Sequence, residues 1–326
     1  MESCINAIRS YFEAKNQVWV TGDVEALLRA GGSLHGAKWA RELGANIEAK
    51  VRSMQHRRSR LLRTHSKVAI RRLDALDLGG VEKVRVDERV TWVYSDGNDY
   101  GVESRVIQHH QKWLYRGGAW ILASARESSE SHPVPDTGAD FTPAVHPEPT
   151  HLDLTGRKAC VSYDRVRALR YAELWWDGWN PDFPKLADDC TSFISQCLFA
   201  GRMPMQGQGN RRTGWWYRFG AHKSSEGWSY SWTTTHALYL FLTGKIGATV
   251  VRDPKELKIG DVIFYDWRGN GRYHHATFVA DFDSAGNPLV NAHTDSSYHR
   301  HYLYRDSRAW TSRTRYQFLH LPDKFC

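Results

Sequence analysis

The chain has 326 residues, 41% hydrophobic and 13% aromatic, with a formal net charge of +8. That length suits two domains better than one, and the apolar share excludes wholesale disorder. Residues 1–72 hold 14 Lys and Arg against 6 Asp and Glu, so they account for the basic excess and the remainder is close to neutral.

The excess peaks in "VRSMQHRRSRLLRTHSKVAIRR". This stretch reads first as the solvated face of a long helix. The partner it would attract is acidic, and nucleic acid is disfavoured. Cys4, Cys160, Cys190, Cys197 and Cys326 are scattered, with no CxxC. That argues against a zinc knuckle or a dense disulfide scaffold and suits free thiols in a reducing compartment. The opening "MESCINAIRSYFEAKN" lacks the basic and then apolar pattern of a signal peptide, and no stretch is apolar enough to span a bilayer. The expected location is the cytoplasm.

In chain order, "CINAIRSYFEAKN" puts Ile5, Ile8, Tyr11 and Phe12 at helical spacing, and "TGDVEALLR" opens a second helix with a capping Thr or Asp. Residues 35–61 continue helical. Alternation then takes over in "KVRVDERVTWVYS": Val84, Val86, Val90, Trp92 and Tyr94 are spaced as in a strand, with an expected slip near Glu88. "YGVESRVIQHHQKWLYRGGAWILAS" predicts two strands turned at Gly117 and Gly118. Neighbouring His109 and His110 face opposite sides of their strand and read as core and surface histidines rather than ligands. Residues 1–128 are thus expected to form an α+β cone. Residues 129–152 hold five of the 11 prolines and read as an extended linker.

Residues 153–326 form the second expected domain. Val166, Leu169, Ala172 and Trp175 recur at helical spacing, Asp188–Ala200 is a second helix, and "SWTTTHALYLFLTG" is a third. Strand patterns follow in "LKIGDVIFYDW", "RYHHATFVADFD", "PLVNAHT" and "RTRYQFLHL". Helices followed by an antiparallel meander make an α+β arrangement. "YDWRGNGRYHH", with Asp266 and Asn270, has too few oxygen ligands for calcium and reads as a hairpin turn. The histidines of "HTDSSYHRHYLY" lack metal spacing and read as a polar loop. Trp215, Trp216, Tyr217, Trp228, Tyr230 and Trp232 read mostly as core, with a substrate groove as the alternative.

"DDCTSFISQC" carries the chemistry. Asp188 or Asp189 can cap a helix whose first turn then holds Cys190. Free N–H groups at a helix start favour a thiolate, the nucleophilic form, and an imidazole can complete its activation. Phe193, Ile194, Cys197 and Leu198 turn the Cys190 side of the helix inward. In "GRYHHATFV" only one of His274 and His275 can face that helix. In "LVNAHT", Asn291 and His293 share one face, and either could orient the imidazole. Cysteine at a helix start, histidine on a strand and a polar residue on the next strand is the layout of papain-like cysteine hydrolases.

The text "WNPDFPKLADDCTSFISQCLFAGRMPM", with "GWWYRF", "WSYSWTTTHALYLFL", "LKIGDVIFYDWRGNGRYHHATFV" and "NAHT", resembles the bacterial putative-amidase-domain family over residues 160–320. That family is similar to NlpC-type and amidohydrolase-type papain-like peptidases of cell walls. The resemblance implies Cys190 as nucleophile and His275 as base, with Asn291, or else His293, as the third member. Ser192 stands where the family usually has Asn, and Arg202 where it has Gly, which bears on substrate preference. The implied activity is hydrolysis of an amide in a peptide or muropeptide through a thioester, without metal or cofactor. The oxyanion would sit on the Cys190 N–H and a second donor. The alternatives are an inert binding scaffold and an acyltransferase using the same pair. Residues 1–128 resemble, more loosely, nuclear-transport-factor-like (cystatin-like) domains.

Overall fold

The computed structural model describes residues 3–32, 38–73, 81–128, 160–186, 188–207, 209–220 and 227–326. The expected linker at 129–152 lies outside them. The chain forms two compact units: residues 1–130 with 303–308, and residues 131–302 with 309–326.

The first unit opens with three helices, α1 (Cys4–Thr21), α2 (Val24–Ala30) and α3 (Lys38–His56). Ser3 accepts from the Asn6 N–H at the start of α1, and Gly22, at φ 76°, closes it by donating to Val18 O. Asp23 caps α2 by accepting from the Ala26 N–H. Four antiparallel strands follow: β1 (Arg60–Leu73), β2 (Val81–Asp96), β3 (Asp99–Arg116) and β4 (Ala119–Ser128), each paired with the next. Gly117 and Gly118, both at positive φ, make the predicted β3–β4 turn.

Two expectations change here. The basic stretch is not one long helix: α3 stops at His56, Arg58 takes φ 58°, and residues 60–73 are strand β1. Pairing with β2 settles a segment whose polar, basic composition gave little periodic signal. Nor is there a slip at Glu88. Val84, Val86, Glu88, Val90, Trp92 and Tyr94 all face inward in unbroken alternation, and the β2–β3 register runs straight through. The register shifts fall instead in β1, at Leu61/Arg63 and Ile70/Arg72. Glu88 stays inside because Lys15, His109 and Ser66 satisfy it, at 2.6, 2.8 and 2.6 Å. His109 is buried and His110 exposed, as alternation predicts.

In the second unit a short ribbon of β5 (Val161–Ser162) and β12 (Lys324–Phe325) ties the two ends of the unit together. Beside it Cys160 and Cys326 form a disulfide, so the reading of these two as free thiols is corrected. Cys4, Cys190 and Cys197 are free. Between them run α4 (Arg165–Trp175), α5 (Cys190–Ala200), α6 (Tyr230–Thr233) and α7 (Thr235–Phe241), then β6 (Thr249–Val251), β7 (Val262–Asp266), β8 (His275–Phe282), β9 (Pro288–Ala292), β10 (Ser297–His301) and β11 (Arg315–His320). These strands pair antiparallel in the order β10-β9-β8-β7-β11-β6.

The third expected helix is broken at Thr234, whose extended backbone (φ −116°, ψ 123°) sits in a run of β-branched threonines. The polar loop expected after Thr294 contains β10. Its histidines engage carboxylates, His299 with Glu173 at 2.9 Å and His301 with Asp283 at 3.8 Å. The β7–β8 turn is a hairpin held by Asp266, which accepts from the N–H groups of Arg268, Gly269 and Gly271.

Every residue of α5 from Cys190 to Leu198 is buried, so the helix runs through the core. Phe193, Ile194, Cys197 and Leu198 pack with Phe264, Ala276 and Phe278 of the sheet and with Trp215 and Trp232. The tryptophan-rich stretch is therefore largely core. Val166, 60% exposed, lies off the inner face of α4, where Ala168 and Ala172 are fully buried.

Candidate active site

Cys190 is the first residue of α5 and is 6% exposed. Its sulfur lies 3.8 Å from Thr191 Oγ1 and 3.9 Å from Thr235 Oγ1, and the two hydroxyls are 2.8 Å apart. The sulfur also accepts a hydrogen bond from the Ala276 amide.

The sheet explains that bond. Val279 exchanges hydrogen bonds with Gly260 and Asp261, so the odd-numbered residues of β8 turn their N–H groups toward β7. The even-numbered ones turn theirs toward β9, as Phe278 does opposite Asn291. β9 ends at Ala292. Beyond Ala292 no β9 residue pairs with Ala276.

The preceding residue, His275, is 6% exposed. Its ring lies against Trp267, nearly parallel with centroids 5.9 Å apart, and against Tyr265 at 5.4 Å. Ala276 faces the helices, so alternation turns His275 to the opposite face of β8, against Tyr265 and Trp267, and the expectation that His275 faces α5 is corrected. His274 donates its backbone N–H to Tyr265 O.

The two expected orienters do face α4 and α5, but their hydrogen bonds go elsewhere. Asn291 donates to Ala172 O and Glu173 Oε1, both at 3.4 Å, and accepts from the His299 N–H at 2.9 Å. His293 Nδ1 lies 2.9 Å from Asp189 Oδ2, its Nε2 lies 2.6 Å from Trp175 O, and its ring stacks on Phe193 at 4.1 Å.

Asp189 holds the N-cap position of α5 without capping it by its side chain. The carboxylate instead accepts from Trp179 Nε1 at 3.0 Å and meets His293. The Cys190 N–H donates to Thr294 Oγ1 at 3.2 Å, so in this state the expected oxyanion donor is engaged by a hydroxyl. Sequence reasoning missed Thr191, Thr235 and Thr294. Nothing in local spacing points to the last two, which come from elements 45 and 104 residues away.

Burial pushes the Cys190 thiol up from its ordinary value. Hydrogen bonds from Thr191, Ala276 and Thr235 partly offset this, and the Asp189 charge adds to the rise. The thiol is therefore the resting form, and a base must take its proton as the sulfur attacks. Cys197, wholly inside the core, is pushed far higher by burial.

Residues 162–318 match the family described as "Putative amidase domain". Over 164 residues the chain is 44% identical to "Uncharacterized protein YhbB" of Bacillus subtilis (strain 168), covering 49% of this chain and 51% of that protein. It is 30% identical over 139 residues to "Uncharacterized protein YjcM" of the same organism, covering 42% of this chain and 31% of that one. The chain thus spans about half or less of the length of these curated relatives. No solved structure matches it. The matched residues 162–318 hold Cys190, His275, Asn291 and His293, so the candidate site lies inside the part of the chain that is similar to the putative amidase domain family.

Proposed function

We propose that the second unit is a papain-like cysteine amidase or peptidase. The observation that carries this reading is the Cys190 sulfur at the first residue of a buried helix, 3.8 and 3.9 Å from the hydroxyls of Thr191 and Thr235, within the segment that matches the putative amidase domain. In the proposed reaction His275 takes the thiol proton as sulfur attacks an amide carbonyl, then gives it to the leaving amine. Water cleaves the thioester. Trp267 and Tyr265, packed on His275, keep bulk water from the ring. Asn291 or His293 is the orienting residue of this reading, although both face α4 and α5 while alternation turns His275 to the other side of β8. The substrate is a peptide or muropeptide amide. We read the first unit, three helices and a four-stranded antiparallel meander, as a nuclear-transport-factor-like domain with a positioning or recruiting role.

The test is product analysis of peptide and muropeptide mixtures with wild-type protein, Cys190→Ala and His275→Ala. New amine and carboxylate ends formed by wild-type protein alone support hydrolysis. Amide products with added amines would identify an acyltransferase. A second reading, an inert binding module, draws on the protonated resting thiol and on the commitment of Asn291 and His293 to other partners. It predicts no turnover and unchanged partner capture in Cys190→Ala.

A further inference from the structure

We propose that Thr294 supplies the oxyanion donor at this site, a role that rests on Cys190 being the nucleophile. The Cys190 N–H belongs to the residue that carries the reacting sulfur, and Thr294 Oγ1 covers it at 3.2 Å. A hydroxyl that accepts a hydrogen bond becomes a better donor through its own O–H. Among the described residues no acceptor receives that O–H. The Cys190 amide therefore polarises Thr294, and Thr294 presents its proton toward the carbonyl oxygen of a substrate attacked by the adjacent sulfur.

The backbone supplies an independent argument. Thr294 sits at φ 71°, in the left-handed region, where a β-branched residue is an outlier and glycine or asparagine relaxes. Flanking residues pin it there. Both ring nitrogens of His293 are bonded and its ring stacks on Phe193. On the other side, Asp295 O accepts from Ser297 Oγ at 2.7 Å. A threonine held against its own preference, with its hydroxyl delivered to the start of α5, is placed for its side chain.

The step balances. His275 takes the Cys190 thiol proton as sulfur forms a C–S bond, the carbonyl π pair moves to oxygen, the oxyanion accepts from Thr294, and the proton held by His275 passes to the departing amine. Collapse of that intermediate expels the leaving group and leaves a thioester.

Two reagents separate this role from helix capping. Iodoacetamide alkylates sulfur by displacement at a saturated carbon and forms no oxyanion. p-Nitrophenyl acetate acylates sulfur through an oxyanion. Thr294→Val is expected to slow acylation of Cys190 about a hundredfold, with alkylation within about twofold of wild type. Thr294→Ser should keep both rates within a few-fold. Thr294→Gly relaxes the backbone, so it keeps the fold available, and it should also lose acylation selectively. Wild-type acylation in Thr294→Val and Thr294→Gly overturns the proposal, as does a parallel fall of both rates, which marks a structural cap. If wild-type Cys190 reacts with neither reagent faster than Cys197, the nucleophile reading itself fails.

Discussion

Asp189 Oδ2 and His293 Nδ1 lie 2.9 Å apart, both nearly buried, immediately before the helix that carries Cys190. His293 Nε2 faces Trp175 O, a carbonyl that can only accept, so that nitrogen carries a proton. The pair fastens β9 to the start of α5. His293→Ala or Asp189→Ala alone strands the other group, and each is expected to cost about 3–5 kcal/mol. The double variant should cost less than the sum by about 1–3 kcal/mol. Urea unfolding of the four species measures this, and strict additivity would show that the pair is not coupled.

Glu88 and Lys15 are fully buried and 2.6 Å apart. Burial alone would raise the Glu88 carboxyl, but Lys15 and His109 outweigh it and hold the group well below its ordinary value of 4.5. A carboxyl depressed in the folded state contributes stability that is present above 4.5 and is lost as pH falls below it. The first unit should therefore weaken on acidification. Glu88→Gln should flatten that dependence and lower neutral-pH stability by about 3–5 kcal/mol, because Lys15 loses its nearest counter-charge. Denaturation at pH 7 and pH 3 checks both, and an unchanged acid slope would contradict the assignment.

The Cys160–Cys326 bond closes a sequence separation of 166 residues. A loop of that size restrains the unfolded chain by up to about 5 kcal/mol in the chain-entropy account. Denatured protein should titrate three thiols without reductant and five with it. Reduction should lower the unfolding midpoint of the second unit. Such a bond persists in an oxidising setting, which weighs against the cytoplasmic location expected from the sequence. Five thiols in unreduced protein would remove that argument.

His275 bears on pH dependence. Because burial raises the Cys190 thiol, thiolate without a base forms only at alkaline pH. His275→Ala should cut amide hydrolysis at pH 7 by about 10²–10⁴-fold. It should recover part of the loss as pH climbs past 9, the thiol's ordinary value. A variant profile parallel to wild type would remove His275 from proton transfer.

The helix start and the inward face of α5 were legible because Asp189, Cys190 and the run to Leu198 are contiguous, and one helix's period reports on itself; the strand order was not, since β11 leaves the expected meander to pair with β7. β1 was hidden because its strand character comes from pairing with β2 rather than from alternation. Glu88 mimicked a slip because a carboxylate at an inward position makes sense only once Lys15 is seen to meet it. Asp189 read as a cap, since nothing nearby announces His293, 104 residues on. The disulfide was equally silent: scattered cysteines carry no pairing information until the ends of the unit are brought together.

The most direct measurement is the rate at which iodoacetamide labels each free cysteine of the native protein at neutral pH, read peptide by peptide by mass spectrometry. If His275 serves as its base, Cys190 should react about a hundredfold faster than Cys4 and Cys197, and His275→Ala should erase most of that lead. Three cysteines that become labelled together, and only as the protein unfolds, would show Cys190 to be an ordinary core thiol.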